Sequence, residues 1–149
     1  LDEVHAYVKE QYESIWGMGI ETDDLVARYW YNLSKELGRD NVMIVSIDKD
    51  YKQFHCLMYN YHYKHQNILD ITEDEALYNF YEQMIVGDTA DNVNYFKGKG
   101  KRFAENYFEG CTTKYQYTKK LYELFKQEYK QKARQKYAEC YHLLKLRTE

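Results

Sequence analysis

Between Gly38 and Asp48 the chain carries Val42-Met43-Ile44-Val45-Ser46-Ile47, a short, nearly continuous apolar run with no helical period. Such a run is too short for a helix of ordinary length, so it reads as a buried strand of a parallel sheet. Its neighbours are of another kind. From Asp23 to Leu37 the apolar positions Leu25, Val26, Tyr29, Trp30 and Leu33 recur at three and four, the spacing of one face of a helix, and Gly38 stands where a C-terminal cap glycine belongs. Helix, strand and an aspartate at the strand's C-terminal end make an α/β order, and this constrains the rest of the chain most.

The remaining segments extend that order. Val4, Tyr7, Val8, Tyr12 and Ile15 predict an amphipathic helix over residues 2 to 16, stopped by Gly17 and Gly19. A second strand is predicted at Cys56 to Tyr61, followed by a polar stretch. Thr72 with Glu75 predicts a capping box for a helix running to about Val86. After a loop through Asn94, Lys97-Gly98-Lys99-Gly100 predicts a tight turn, Lys101 to Phe108 a helix, and Gly110 its end. Residues 112 to 146 predict one long or two shorter helices. The expected organisation is an α/β body over residues 1 to 86 and a helical module over residues 87 to 149.

Charge divides at nearly the same place. Residues 1 to 96 hold 7 Lys+Arg against 18 Asp+Glu, and residues 97 to 149 hold 14 against 6, so a net charge of −3 conceals halves of −11 and +8. An acidic half concentrates cations and a basic half attracts a polyanion. Three distant cysteines, Cys56, Cys111 and Cys140, form no CxxC pair, which argues against a thiolate zinc site or a disulfide framework. No apolar run approaches a membrane span of roughly 18 residues and the first residues are acidic, so the expectation is a soluble intracellular protein with no membrane partner.

Seven carboxylates cluster at element ends: Glu21, Asp23 and Asp24 at a helix start, Asp48 and Asp50 after the strand, Asp88 and Asp91 after the next helix. Each cluster alone has an ordinary reading, as an acidic N-cap, a strand-to-helix turn or an Asx-type turn. Together they suggest convergence at the C-terminal edge of a sheet, where ligand crevices of α/β folds lie. Crowded carboxylates need cations, and oxygen ligands without Cys or His favour Mg²⁺ or Mn²⁺ over zinc.

Glu21-Thr22-Asp23-Asp24, then Ser46-Ile47-Asp48-Lys49-Asp50-Tyr51-Lys52-Gln53, then Gly87-Asp88-Thr89-Ala90-Asp91-Asn92 resemble the E-x-D-D, S-x-D-K-D-x-x-Q and G-D-x-x-D-N series of the 5′-nuclease family. That family spans flap endonucleases, phage 5′-3′ exonucleases and the nuclease domain of bacterial DNA polymerase I, and the resemblance runs from about Ile20 to Phe108. It implies a PIN-like α/β core with a helix-hairpin-helix (H3TH) module, in which Glu21, Asp23, Asp24, Asp48, Asp50, Asp88 and Asp91 hold two Mg²⁺ or Mn²⁺ ions. It implies that Asp48 and Asp50 are catalytic, that Lys97, Gly98, Lys99, Gly100, Lys101 and Arg102 grip DNA, and that a K⁺ ion sits at the hairpin. The implied partner is 5′-ended, flapped or nicked duplex DNA, in the cytoplasm of a bacterial or phage-infected cell. The family also places an aspartate-ended strand and a basic arch ahead of E-x-D-D, where only twenty residues stand here. The resemblance is therefore to the C-terminal part of such an enzyme, its core incomplete at the N-terminus. The alternative is a duplex-binding fragment or subunit that cuts nothing until a missing segment or a partner completes the site.

The hairpin reading also stands on physics, since backbone N–H groups at glycines approach phosphates closely and lysines add charge blind to base sequence. The tyrosine stripe of the last helices reads as core. His62 and His65, in a segment read as extended, would face opposite ways and are set aside as ligands. No nucleophilic serine motif and no phosphate-loop GK[ST] occurs, which leaves acyl transfer and nucleoside-triphosphate hydrolysis without support.

Overall fold

The computed structural model describes residues 2–148. The order is helix α1 (Asp2–Gln11), helix α2 (Thr22–Leu37), strand β1 (Met43–Val45), a 3₁₀ turn (Lys49–Gln53), strands β2 (Leu57–Asn60) and β3 (Asn67–Asp70), helix α3 (Glu73–Val86), helix α4 (Lys101–Tyr107), helix α5 (Lys114–Tyr129) and helix α6 (Ala133–Leu144). The sheet is mixed. β1 pairs parallel with β2, Ile44 opposite Met58, and β2 pairs antiparallel with β3, Met58 opposite Leu69. This is an α/β chain in which helix predominates.

Four expectations need correction. The 2–16 helix ends at Gln11, and most of its apolar positions stay in solvent: Val4, Tyr7, Tyr12 and Ile15 are all more than half exposed, and Val8 is half-buried. Its period is real, but no residue of α1 is buried. β1 is an edge strand, with Ile44 buried and Met43, Val45 and Ile47 exposed, so its continuous apolar run covers two faces of which the fold uses one. The polar stretch after β2 contains β3, whose Asn67, Ile68 and Asp70 are exposed, so burial left no apolar run to read. Residues 62 to 65 form a turn rather than an extended segment, with the His65 and Gln66 amides donating to the His62 carbonyl at 2.8 and 3.0 Å. The His62 and His65 rings therefore lie 5.5 Å apart instead of facing opposite ways.

Two cores meet on α3. Ala76 joins the sheet core with Ala27, Ile44, Tyr51, Phe54, Cys56, Met58 and Ile71. One and two turns later, Phe80, Tyr81, Met84 and Ile85 join a helical core with Val93, Phe96, Phe108, Leu121 and Phe125. Thr72 caps α3 by accepting from the Glu75 amide at 3.1 Å, but the Glu75 carboxylate takes the Thr72 hydroxyl rather than closing the reciprocal half of the box. The last helical stretch is two helices, broken at Lys130, whose φ of 54° no continuing α-helix tolerates. A full capping box at Thr113 and Gln116 starts the first of them. Most tyrosines of α5 and α6 serve as core, as their spacing predicted: Tyr117 is buried, and Tyr122, Tyr129, Tyr137 and Tyr141 pack against the same cluster, while Tyr115 is exposed.

The chain end ties the two cores together. Gln53 is buried, donating through Nε2 to the Leu144 carbonyl at 3.0 Å and accepting at Oε1 from the Leu146 amide at 3.0 Å. Leu146 then enters the sheet core, and the Arg147 amide donates to Asp24 Oδ1 at 2.9 Å. No described helix is long and apolar enough to cross a membrane.

A carboxylate cluster at the sheet edge

Three segments converge where β1 runs out. The Ser46 amide donates to the Tyr59 carbonyl, which carries the parallel ladder one residue past β1, and the Ser46 hydroxyl accepts from the Asp48 amide at 3.0 Å. Asp48 then caps the 3₁₀ turn, its Oδ1 accepting from the Asp50 amide at 2.9 Å. The turn is held on α3 by two amides one helical turn apart: Asn79 Nδ2 donates to the Lys52 carbonyl at 3.0 Å and Gln83 Nε2 to Asp50 Oδ1 at 2.7 Å. From the other side, the Tyr51 hydroxyl reaches Asp23 Oδ1 on α2 at 3.2 Å.

The third segment follows α3. Gly87 has φ +82°, and a Cβ there would stand 2.1 Å from the Val93 carbonyl oxygen, so only glycine fits. That close approach lets Asp88 and Val93 exchange backbone hydrogen bonds at 2.8 Å, pinning the ends of the 88–93 loop. The Asp88 carboxylate is buried, accepts from the Ala90 amide at 3.0 Å and faces Lys49 Nζ at 4.0 Å.

The result is two overlapping aspartate triplets. Asp23, Asp48 and Asp50 can each offer an oxygen within 4.8 Å of the others, and so can Asp50, Asp88 and Asp91. Asp50 belongs to both. Half burial and the neighbouring Asp48 push its carboxyl up to about 6, against the lowering pull of Gln83. Burial and Asp48 also raise Asp23. The donor set is all carboxylate, suited to hard divalent cations, and among the described residues no histidine or cysteine joins either group.

Of the seven carboxylates singled out from the sequence, five meet here. Glu21 and Asp24 stand outside both triplets and line a separate cleft with Arg28, Leu146 and Arg147, where Asp24 receives the chain end. Helix geometry explains the split: Asp23 and Asp24 are adjacent on α2 and project about 100° apart. Sequence reasoning missed Gln83 and Asn79, whose four-residue spacing on one side of α3 was the available signal.

The basic hairpin lies beyond the same loop. Val93 and Phe96 are buried in the helical core, and the Tyr129 hydroxyl donates to the Tyr95 carbonyl, which fixes the hairpin's approach. The Lys99 amide donates to the Phe96 carbonyl at 3.2 Å around Gly98, whose φ is +81°. A Cβ at Gly98 or Gly100 would meet open space, so backbone is accessible at both. Lys97, Lys101 and Arg102 are exposed, and Lys99 lies over the Phe103 ring at 5.0 Å. Behind them the Tyr107 hydroxyl donates to the Lys120 carbonyl at 2.6 Å and Lys120 Nζ to the Tyr107 carbonyl at 2.7 Å, locking α4 on α5. Comparison of the chain with protein-family models, with curated proteins and with solved structures gives no match.

Proposed function

We propose that this chain carries the metal-binding and DNA-gripping part of a 5′-nuclease, with a PIN-like core and an H3TH-type module, hydrolysing phosphodiesters of 5′-ended, flapped or nicked duplex DNA. The observation that carries the reading is the pair of aspartate triplets sharing Asp50, drawn together from α2, the turn after β1 and the loop after α3. Two divalent ions, Mg²⁺ or Mn²⁺, would supply an activated water and a counter-charge for the leaving oxygen. Asp23, Asp48 and Asp50 would hold one ion, and Asp50, Asp88 and Asp91 the other. Asp24 and Glu21 drop out of the ligand set in this reading, and Asp24 accepts from the Arg147 amide instead. Lys97 to Arg102 would hold the duplex by its phosphates, away from the cut.

A second reading, that the chain grips DNA and cuts only when a further segment or a partner completes the site, is favoured by one observation. β1 is an edge strand, and its Met43 and Val45 border an apolar groove of about 500 Å³ with Leu25, Tyr29 and Leu33 of α2. The test is cleavage of a labelled 5′-flap and a nicked duplex in Mg²⁺ or Mn²⁺, with Asp48→Ala alongside. Metal-dependent cutting abolished in the variant supports the nuclease; duplex binding without cutting supports the second reading; neither binding nor cutting overturns both.

A further inference from the structure

A cleft of about 150 Å³ lies directly behind the aspartate cluster, lined by Lys49 and Lys52 of the 3₁₀ turn, Asn79 and Gln83 of α3, and Gly87 and Lys101 flanking the loop and hairpin. Glu82 is the one acid among its lining residues. Lys49 and Lys52 reach it on the 3₁₀ turn that Asn79 and Gln83 dock on α3, and Lys101 from the start of α4, so lysines from distant segments line one cleft. Like charges in a confined cleft repel, and an anion there relieves the repulsion. The volume admits several waters or one phosphate group. Lys49 also faces Asp88 at 4.0 Å, so the cleft opens onto the carboxylates through a shared residue.

We infer that this cleft seats one backbone phosphate of the bound DNA, with Lys52 as its principal cation, between the hairpin and the aspartate cluster. Resting on the nuclease reading, it gives Lys52 a positioning role: the phosphate held there fixes which diester reaches Asp48 and Asp50. A strand gripped only at the exposed hairpin would be free to slide, because such contacts read no sequence.

The experiment is fluorescence anisotropy of a labelled nicked duplex in EDTA, across a salt titration, for the wild type, Lys52→Gln, Lys52→Arg and the distant surface variant Lys64→Gln. Lys52→Gln is expected to weaken binding about 3- to 10-fold at low salt and to flatten the slope of log K against log salt by about 0.9, the loss of one phosphate contact. Lys52→Arg should restore the slope, and Lys64→Gln should leave it unchanged. Equal melting temperatures establish that the variants are folded. Wild-type binding with an unaltered slope in Lys52→Gln overturns the phosphate seat and leaves the nuclease reading standing. A wild type that does not bind the duplex overturns the nuclease reading, and the seat with it.

Discussion

Asp50 is held by opposing forces. Burial and Asp48 disfavour its charge, while Gln83 donates to it, and the balance leaves the carboxyl near 6. Since the unfolded value is about 3.9, the folded state keeps the proton over the higher range. The associated stability is therefore fully present below about pH 4 and is lost as pH rises through about 6. In EDTA, Asp50→Asn should melt above the wild type at pH 7.5 and level with it near pH 4; parallel melting curves across that range would contradict the assignment. Mn²⁺ should raise the wild-type melting temperature at pH 7.5 and barely move that of the variant. Gln83→Met removes the donor that orients Asp50, and the loss of such a supporting hydrogen bond should weaken Mn²⁺ binding about 10-fold or more, read by calorimetry. Gln83 was not legible in the sequence as a site residue, because its role depends on a turn 33 residues away.

At the scale of elements, the loop after α3 and the turn after β1 show how local chemistry positions a site. Gly87→Ala puts a Cβ on the Val93 carbonyl oxygen at a positive φ, so it should cost about 3 kcal/mol by chemical denaturation and detach Asp88 and Asp91 from the cluster. An alanine protein of wild-type stability would mean the 88–93 loop closes differently. Helices α2 and α3 were legible from apolar spacing and from the Gly38 and Thr72 caps, signals that act within a few residues. β3 was not, since its pairing with β2 supplies through hydrogen bonds what its sequence lacks in apolar pattern. The α1 segment erred the other way: an amphipathic period marks a face able to be buried, and no residue of α1 is buried.

In the whole molecule the charge split and the double core acquire meaning together. α3 spans both cores, and the chain end crosses back through Gln53 to Leu146 and Asp24, so the acidic sheet edge and the basic hairpin belong to one packed body. Gln53→Leu leaves the Leu144 carbonyl and the Leu146 amide without their partner and should cost about 1–3 kcal/mol, measured by urea titration. Lys99→Ala with Lys101→Ala should flatten the salt dependence of duplex binding by about 2, one unit per lost phosphate contact, while leaving Mn²⁺ stabilisation intact. A double variant with unchanged slope would remove the hairpin from the DNA surface.

By itself the sequence determined the class of the fold, the caps, the glycines at forced turns and the three acidic segments, because residue type and short-range spacing act before the chain is packed. Tertiary structure alone decided which carboxylates meet. Asp23 joins Asp48 and Asp50 through Tyr51 while Asp24, its neighbour, turns to the chain end, and Asp88 is buried beside them because Gly87 lets two backbones touch. Proximity across a fold is set by packing and hydrogen bonds between distant segments, and no spacing along the chain encodes it.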